Sequence, residues 1–306
     1  MPSKKLTVDV EGTVLTLSNL EKVFYPQAGF TKGQVIDYYI RIAPALLDHL
    51  GNRPLTMKRY PDGATAKFFY QKQCPEHRPD WLQTAPVWSE HNDDHIDFCL
   101  INTLPALVWA VNLAALELHT SLSAAKDVLC PTMVVFDLDP GPPASMLECC
   151  QVALLLKEIL DHYQLQSFPK TSGSKGLQIY IPLNKPVTYD ITKSYARAIA
   201  QLLEQQHPEL VVSKMTKKLR TGKVFVDWSQ NDDHKTTVCV YSMRAREQPT
   251  VSTPVSWTEV EQACKTKDTQ ALVFEAAQVI TRFEQLGDLF APVLTLKQEL
   301  PPLKSF

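Results

Sequence analysis

The feature that most constrains this chain is an apolar segment that ends on two aspartates. Residues 131–139 read PTMVVFDLD and are followed by PGPP, which stops an extended or a helical run. Asp137 and Asp139 alternate with Leu138, so in a strand they project from the same side. Neighbouring carboxylates repel each other unless a cation lies between them. The segment predicts a buried strand with a metal-binding pair, although a turn at Asp139 with Asp137 as a capping residue explains the same letters.

A third aspartate ends another short apolar strand. Asp227 follows the apolar residues 224–226, where a carboxylate has no obvious structural purpose. A pair of carboxylates plus a third is the set that holds two Mg²⁺ or Mn²⁺ ions about 3.5–4 Å apart in polymerases and nucleases. Asp137, Asp139 and Asp227 are therefore candidate metal ligands.

The turn at residues 171–176, TSGSKG, is a candidate phosphate contact. Its hydroxyls and glycines let backbone N–H groups approach a phosphate, and Lys175 supplies a positive charge. The spacing is not that of a Walker A loop, and a strand follows instead of a helix. Turns of this composition are also common without a ligand, so this one gains weight only beside the three carboxylates.

Composition limits the class of protein. The 306 residues carry a net charge of −2 with a pI near 6.4, so a nucleic-acid role has to rest on local patches. Residues 58–72 and 214–223 are such patches, although a basic run is also typical of a solvated surface. No apolar run reaches membrane-spanning length and no signal peptide is recognisable, so we expect a cytoplasmic protein.

The cysteines show no pattern typical of a disulfide-rich protein or of a zinc-binding site. There are 7 of them, an odd number, and no Cys-x-x-Cys pair occurs. This argues against a disulfide framework and against a zinc ribbon. Cys74 and His77 are the only hint of a zinc pair.

The periodicities predict an α+β chain with its strands gathered around the middle. We expect a hairpin at residues 6–17, a helix from Thr31 that stops near Pro44, a strand at 67–70, a polar loop at 72–94, a buried helix at 104–118, a helix opened by a capping box at Ser145, a strand at 177–182, a helix at 192–206, strands at 223–227 and 236–241, and C-terminal helices with a capping box at Ser256 and a stop at Gly287.

The chain resembles the polymerase domain of bacterial and archaeal DNA ligase D, a primase-polymerase of non-homologous end joining in the archaeo-eukaryotic primase superfamily. The resemblance rests on KRYPDG at residues 58–63, FFYQK at 68–72, NLAALELH at 112–119, FDLDPG at 136–141, TSGSKG at 171–176, VDWSQN at 226–231 and YSMRAR at 241–246. These strings occur in order between about Leu17 and Trp257, which chance does not produce.

This resemblance implies a fold and a domain plan. The fold would be α+β, with two mixed β-sheets forming a catalytic cleft, flanking helices, and one RNA-recognition-like half. Residues 1–306 would form a single primase-polymerase domain. Its parts would be an N-terminal module at 1–125 with 5′-phosphate and DNA contacts, a catalytic sheet at 126–250, and a C-terminal helical segment at 251–306.

The resemblance also implies a role for each matching residue. Asp137, Asp139 and Asp227 would be catalytic and bind two metal ions, Mn²⁺ by preference or Mg²⁺. The residues that would contact the incoming NTP or dNTP are Lys58, His119, Ser172, Lys175, Gln178, Arg220, Gln230 and Arg244. Those that would contact DNA are Asn19, Lys22 and Lys32, in a pocket for a 5′-phosphate, and Phe68 and Phe69, stacked on the template. The loop at about residues 81–95 would bridge two broken ends.

One position departs from the family pattern, and three of the implied contacts have a plainer explanation. After Lys175 the family has Gly-Leu-His, but this chain has Gln178 in the place of the histidine. Glutamine can hydrogen-bond a phosphate but cannot carry a charge. His119 and the pair Phe68 and Phe69 also fit an ordinary core, although aromatic rings among lysines are how single-stranded bases are stacked.

The implied activity is template-dependent nucleotidyl transfer, with NTPs preferred, that fills gaps and extends 3′ ends in double-strand break joining. The implied partners are DNA with 5′-phosphate ends or gaps, Ku and a DNA ligase, and no membrane. The implied location is the cytoplasm of a prokaryote, in association with the nucleoid. One rival is a scaffold that only synapses DNA ends, which has no need of clustered carboxylates. The other is a haloacid dehalogenase-type phosphatase, which shares the VVFDLD pattern but expects Thr or Val where this chain has Gly141.

Overall fold

The computed structural model describes residues 5–89 and 93–302, which divide into two compact units. Unit 1 contains the residues up to Ser121, Thr236–Ser252 and Phe274–Gly287, and unit 2 contains Leu122–Lys235, Thr253–Val273 and the residues from Asp288 onward. The segment predicted as C-terminal and helical is therefore shared between the units. No helix in the described ranges is both long and apolar enough to cross a bilayer.

Strands and helices are mixed along the chain, which confirms the α+β class. In chain order the elements are β1 (Lys5–Val10), β2 (Thr13–Ser18), β3 (Val23–Tyr25), β4 (Phe30–Thr31), α1 (Lys32–Leu50), β5 (Leu55–Arg59), β6 (Phe69–Gln71), β7 (Thr84–Ser89), β8 (Asp94–Cys99), α2 (Leu104–Asn112), β9 (Ala115–Thr120), β10 (Met133–Pro140), α3 (Met146–His162), β11 (Phe168–Thr171), β12 (Leu177–Pro182), α4 (Tyr189–Gln206), β13 (Val211–Val212), β14 (Val224–Asp227), β15 (Thr237–Val238), α5 (Trp257–Thr266), α6 (Ala276–Leu286) and α7 (Pro292–Thr295).

Unit 1 is built on a six-stranded sheet in the order β15-β9-β5-β8-β7, with β6 paired to β5. Its ladders are antiparallel. The β5–β9 ladder places Lys58 opposite Glu117 and Thr56 opposite His119. Because residues directly opposite each other share a face, this register decides which polar side chains meet.

The helix predicted over residues 104–118 is wrong in its second half. α2 ends at Asn112, Ala114 takes a left-handed conformation with φ of 65°, and strand β9 follows. A strand buried on both faces gives the same continuous apolar run as a buried helix, so periodicity does not separate them. The difference is functional, because Glu117 and His119 now lie on one face of a strand.

Helix α1 runs further than predicted. Its N-terminus has a capping box formed by Thr31 and Gln34, but the helix continues through Pro44 and ends at Leu50. A proline inside a helix removes one hydrogen bond. The complete burial of Leu46 and Leu50 beyond it offsets that loss, since each apolar side chain contributes about 1.5–3 kcal/mol when removed from water.

The predicted polar loop at 72–94 contains an antiparallel hairpin of β7 and β8 instead, and residues 90–92 between these strands lie outside the described ranges. The predicted end-bridging loop at 81–95 falls largely on these strands. Cys74 and Cys99 form a disulfide with Cα atoms 5.1 Å apart. The cysteine count gave no sign of this bridge, which also removes Cys74 from any zinc site.

Unit 2 is built on a five-stranded sheet in the order β11-β12-β10-β14-β13. β10 lies between β12 and β14, antiparallel to both, and β13 pairs with β14 in parallel. With α3 and α4 as the crossovers, the chain follows a split β-α-β path, β10-α3-β11-β12-α4-β14, with the short β13 before the last strand. This path confirms the expected RNA-recognition-like half.

The starts of α3 and α5 and the end of α6 follow the local signals in the sequence. The capping boxes at Ser145 and Ser256 are formed, and they begin α3 and α5 as predicted. Gly287 ends α6 with φ of 68°, a conformation that favours glycine. The strand predicted at 236–241 is reduced to Thr237–Val238, and Tyr241 leaves the strand with φ of 64°.

Candidate active site

The predicted metal ligands lie on one face of the unit 2 sheet. Asp137 on β10 stands directly opposite Asp227 on β14. Asp139 follows on the same face of β10, because side chains alternate along a strand. Asp137 and Asp227 are half-buried, whereas Asp139 is exposed. Register therefore brings together carboxylates that are far apart in sequence.

Asp137 is ionised less readily than an ordinary aspartate. Its burial and the negative charges of Asp227 and Asp139 raise its pKa to about 6, while a hydrogen bond from Gln178 and the charge of Lys170 act in the opposite direction. A divalent cation would lower the pKa of Asp137 again, since a positive charge favours the ionised form of every carboxylate around it.

The turn after β14 holds Asp227 in a fixed orientation. Its Oδ1 accepts hydrogen bonds from the backbone N–H and the hydroxyl of Ser229, at 2.9 and 2.6 Å. Its Oδ2 accepts one from the Gln230 amide at 2.8 Å. Gln230, predicted to contact the nucleotide, is thus engaged with a predicted metal ligand.

Asn231 is a positioning residue that sequence analysis missed. Its fully buried amide donates to the Val135 carbonyl at 2.7 Å and accepts from the Val135 N–H at 2.9 Å. This pair of hydrogen bonds ties the turn after Asp227 to the backbone of β10. The string VDWSQN contained Asn231, but nothing in the string showed which strand the amide would reach.

A buried polar row continues from Asp137 across the sheet. Gln178 on β12 lies opposite Asp137, and Lys170 on β11 lies opposite Gln178. Lys170 Nζ donates to Gln178 Oε1 at 2.6 Å, and the Gln178 side chain hydrogen-bonds Asp137. Gln178, predicted to contact a phosphate, is buried between these two groups. Lys170 is also buried, and the sequence analysis predicted no role for it.

The Ser/Gly turn is closed on itself by Ser172. The Ser172 hydroxyl accepts hydrogen bonds from the N–H groups of Ser174 and Gly176, at 3.2 and 3.1 Å. These amides therefore point inward and not toward a phosphate, whereas the Lys175 side chain is exposed. A Cβ at Gly176 would lie 1.9 Å from the Leu138 carbonyl oxygen, so only glycine lets the turn pack this closely on β10.

Arg220 reaches the end of β10. Its Nη1 lies 3.5 Å from Asp139 Oδ2, and its guanidinium stacks 3.7 Å from the centre of the Phe225 ring. A Cβ at Gly141 would lie 2.0 Å from the Arg220 carbonyl oxygen, so glycine is required for this approach. A predicted nucleotide contact thus lies beside a predicted metal ligand.

Asp232, Asp233 and His234 form a further cluster in unit 2, with ligand atoms within 4.8 Å of one another. The three predicted metal ligands are more widely spread than this in the described part of the chain. His234 pairs with Asp232 at 2.7 Å and with Asp233 at 2.6 Å, and Asp232 also pairs with Lys193. These ion pairs account for the cluster, and we assign it no metal role.

In unit 1, the predicted nucleotide contacts surround one buried carboxylate. Glu117 Oε2 lies 3.0 Å from His119 Nε2 and 3.4 Å from Arg244 Nε, and Oε1 lies 3.4 Å from Lys58 Nζ. Burial raises the pKa of Glu117, but the hydrogen bond from His119 and the charges of all three neighbours bring it well below its usual range. The sequence assigned Glu117 no role, because the expected helix did not place it beside His119.

The two phenylalanines predicted to stack on the template face opposite sides of the sheet. The Phe68 ring lies 4.2 Å from Lys58 Nζ, on the same face as Tyr70. The Phe69 ring lies 5.1 Å from the Arg59 guanidinium, on the other face. Both rings are about half exposed, 48% and 45%, and they belong to different surfaces of unit 1.

The predicted 5′-phosphate residues gather around one turn, where Lys22 N–H donates to the Asn19 carbonyl and Lys32 N–H donates to the Lys22 carbonyl. Lys22 Nζ pairs with Asp62 at 2.8 Å and keeps 39% of its side chain exposed. Lys32 is only 4% exposed, and its Nζ donates to Asn112 Oδ1 at 2.8 Å. Burial, with help from neighbouring cations, lowers the pKa of Lys32 to about 8.

Each unit thus carries its own share of the predicted residues. Unit 1 holds Asn19, Lys22, Lys32, Lys58, Phe68, Phe69, His119 and Arg244, and unit 2 holds Asp137, Asp139, Ser172, Lys175, Gln178, Arg220, Asp227 and Gln230. Their functional roles stay predictions.

Comparison with known proteins identifies close relatives. The family of the LigD primase-polymerase domain matches residues 31–290. The multifunctional non-homologous end joining protein LigD of Mycolicibacterium smegmatis is 39% identical over 279 residues, which cover 90% of this chain and 36% of that protein. The bifunctional non-homologous end joining protein LigD of Bacillus subtilis is 34% identical over 288 residues, covering 94% of this chain and 45% of that protein. The chain thus spans less than half the length of these relatives.

A solved structure matches over nearly its whole length. The polymerase domain from Mycobacterium tuberculosis ligase D, determined in complex with DNA, superposes with a TM-score of 0.85 at 38% identity, covering 93% of this chain and 99% of that one. The split β-α-β sheet and the aspartates at the ends of β10 and β14 therefore occur in a chain that belongs to the LigD primase-polymerase domain family of nucleotidyltransferases.

Proposed function

We propose that this chain adds nucleotides to 3′ ends under the direction of a template, filling gaps and extending ends during double-strand break joining. The observation that carries the proposal is the pairing of Asp137 with Asp227 across neighbouring strands, with Asp139 on the same face. In a member of a primase-polymerase family, carboxylates in this arrangement have a direct use as metal ligands.

We infer that Asp137, Asp139 and Asp227 hold two Mn²⁺ or Mg²⁺ ions. The donor set fits, because hard divalent cations prefer carboxylate oxygens. Burial and the charges of Asp227 and Asp139 also disfavour the ionised form of Asp137, and a bound cation would favour that form. When bound, such a pair supplies Lewis-acid activation of the attacking hydroxyl and neutralises charge at the reacting phosphate. Ser229 and Gln230 orient the Asp227 carboxylate for this task.

In the proposed reaction, the 3′-hydroxyl attacks the α-phosphate of a nucleoside triphosphate, and pyrophosphate leaves. Protein cations offset the charge of the triphosphate and of the departing pyrophosphate. The residues proposed for this role from the family resemblance are Lys175, Arg220, Arg244, His119 and Lys58, with the Ser172 hydroxyl as a hydrogen-bond donor. A preference for NTPs over dNTPs belongs to the same proposal.

The DNA partner is proposed from similarity and from local chemistry. The matched Mycobacterium tuberculosis domain was solved with DNA, and we propose that this chain binds gapped DNA as well. Asn19, Lys22 and Lys32 would contact a 5′-phosphate. Phe68 or Phe69 would stack on a template base, a contact of about 1–3 kcal/mol. Joining breaks together with Ku and a DNA ligase is also a proposal.

A primer-extension assay tests the function. We expect a labelled primer on gapped DNA to be extended with Mn²⁺ and NTPs, and Asp137→Asn to lower the rate by about 100-fold or more. Asp233→Asn, in the neighbouring acidic cluster, is the matched control and should extend like the wild type. DNA binding by fluorescence anisotropy should be similar in all three proteins.

The same assay separates the enzyme from a protein that only synapses DNA ends. Trp88 on β7 is 52% accessible and lies in the segment that was predicted to bridge two broken ends. A wild-type protein that bridges ends but never extends a primer would support the scaffold. Substantial extension by Asp137→Asn would instead refute the assigned metal site.

A further inference from the structure

We propose that Glu117 is a positioning residue of the nucleotide site, which holds the His119 imidazole so that only Nδ1 is left to contact a phosphate. The inference rests on the proposed function, because it assumes that His119 meets a nucleotide. It assigns a role to a carboxylate that neither the sequence motifs nor the metal site uses.

The geometry begins with strand β9. Glu117 and His119 alternate with Leu118, so both side chains lie on the same face. His119 Nε2 lies 3.0 Å from Glu117 Oε2, within hydrogen-bond distance. Glu117 keeps 3% of its side chain exposed and His119 keeps 14%. The pair is therefore largely removed from water, where such a contact is strong.

The Glu117 carboxylate cannot turn away from His119. Its other oxygen, Oε1, accepts a hydrogen bond from the Tyr60 hydroxyl at 3.1 Å and one from the Ala245 backbone N–H at 3.1 Å. Lys58 Nζ also lies 3.4 Å from Oε1. With Oε1 held by these donors, Oε2 stays directed at the imidazole.

This contact selects one tautomer of His119. A carboxylate only accepts hydrogen bonds, so the proton of the neutral ring must be on Nε2, which leaves Nδ1 as an acceptor. No hydrogen bond to Nδ1 is formed within the described residues. A phosphate oxygen is also an acceptor, so Nδ1 can donate to it only when the ring is the doubly protonated imidazolium. His119 therefore acts as a phosphate contact that requires its charge.

The charges around His119 act against that protonated form. Burial lowers the pKa of His119, as do the charges of Arg244 and Lys58, whereas Glu117 raises it. The Tyr70 ring also lies beside His119 and meets the imidazole edge-on, with the ring centres 6.2 Å apart. In this surrounding, Glu117 is the group that keeps the imidazolium accessible.

Nucleotide affinity as a function of pH tests the proposal. The dissociation constant of ATP, with saturating Mg²⁺, would be measured between pH 5 and 9 for the wild type, Glu117→Gln and His119→Asn. We expect wild-type affinity to fall as His119 loses its proton, a dependence that His119→Asn lacks. In Glu117→Gln the midpoint should move to lower pH by about one unit, since the counter-charge is gone. Glu204→Gln, a carboxylate of α4, is the matched control and should keep the wild-type midpoint.

A measurement on the wild type keeps the proposal testable if Glu117→Gln does not fold. In ¹⁵N-histidine NMR spectra at high pH, the His119 ring should show a protonated Nε2 and an unprotonated Nδ1. The opposite tautomer, or an unchanged midpoint in folded Glu117→Gln, would overturn the role of Glu117. Wild-type protein that binds no ATP at any pH would overturn the proposed function instead, and the tautomer would still decide the Glu117–His119 contact.

Discussion

Lys32 is a cation buried in unit 1, whereas Lys22 beside it keeps 39% of its side chain exposed. Both were predicted to bind a 5′-phosphate, but their surroundings make them different chemical groups. Lys32 Nζ donates to the Ser18 carbonyl at 2.7 Å and to Asn112, and burial brings its pKa down to about 8. The same contrast applies to Gln178, whose amide is occupied by Lys170 and Asp137. At this scale, burial decides what a polar side chain can do.

The lowered pKa of Lys32 predicts how recognition of a 5′-phosphate depends on pH. Between pH 7 and 9 the phosphate stays fully charged, because its second pKa is about 6. Lys32 loses its proton over the same range. The preference for gapped DNA with a 5′-phosphate over a 5′-hydroxyl should therefore weaken as pH rises through 8, as measured by fluorescence anisotropy of both DNAs.

Two variants distinguish the contribution of Lys32 to 5′-phosphate recognition from that of Lys22. Lys32→Arg keeps its charge across this range, so its preference for the 5′-phosphate should not depend on pH. Lys22→Ala should weaken the preference at every pH, by about 1.5–3 kcal/mol for a charged contact. A wild-type preference that is constant from pH 7 to 9 would show that Lys32 does not contact the phosphate.

The turn after β14 positions one of the proposed metal ligands. It must present Asp227 beside Asp137, and the Asn231 side chain connects it to β10. β9 has the corresponding task in unit 1, where it aligns Glu117 and His119. The turn is held by the hydrogen bonds between Asn231 and Val135, whereas β9 is held by its ladders with β5 and β15.

Replacing Asn231 should therefore cost stability and activity together. Asn231→Ala leaves the N–H and the carbonyl of Val135 without their partner in a fully buried place. An unsatisfied buried group costs about 1–3 kcal/mol, so we expect a loss on the order of 2–4 kcal/mol in urea unfolding. Primer extension should fall more than DNA binding. Gln205→Ala, on the exposed face of α4, is the control and should change neither.

At the scale of the whole molecule, the proposed active site is a source of instability. Asp137 lies opposite Asp227 in the fold, and burial together with the negative charge of Asp227 disfavours the ionised form of Asp137. We expect such an arrangement to cost folding free energy when no metal is bound. Stability and activity should therefore respond in opposite directions to the loss of Asp137.

The sign of the pH dependence follows from the raised pKa of Asp137. The unfolded chain releases this proton near pH 3.8, whereas the folded chain keeps it until about pH 6. The folded state binds more protons between these values, so its stability falls as pH rises through that range and stays lower above it. In EDTA, Asp137→Asn should be more stable than the wild type at pH 7, on the order of 2–3 kcal/mol, and nearly equal at pH 4.

Thermal unfolding across this pH range measures the effect, with Asp48→Asn on the exposed face of α1 as the control. Adding Mn²⁺ should stabilise the wild type and have less effect on Asp137→Asn, because a ligand stabilises only the state that binds it. If Asp137→Asn is less stable than the wild type in EDTA at pH 7, then the Asp137 carboxylate contributes to stability through its hydrogen bonds and the repulsion is minor.

Much of this protein could be predicted from local signals. Several features depend only on residues a few positions apart. They are the capping boxes at Ser145 and Ser256, the hairpin β1–β2, and the strand that ends on Asp137 and Asp139. Ordered strings identified the family. These features are determined locally because hydrogen bonds within a turn and alternation along a strand need no distant partner.

Contacts between distant residues were decided by the tertiary structure alone. Three features depend on which strands become neighbours and in which register. They are the strand β9 in place of a helix, the disulfide between Cys74 and Cys99, and the pairing of Asp137 with Asp227. The partners of Glu117 and Lys170 were hidden for the same reason. An apolar run specifies burial, but only the assembled sheet specifies what is buried next to it, and this neighbour sets the charge, hydrogen bonding and pKa of each functional group.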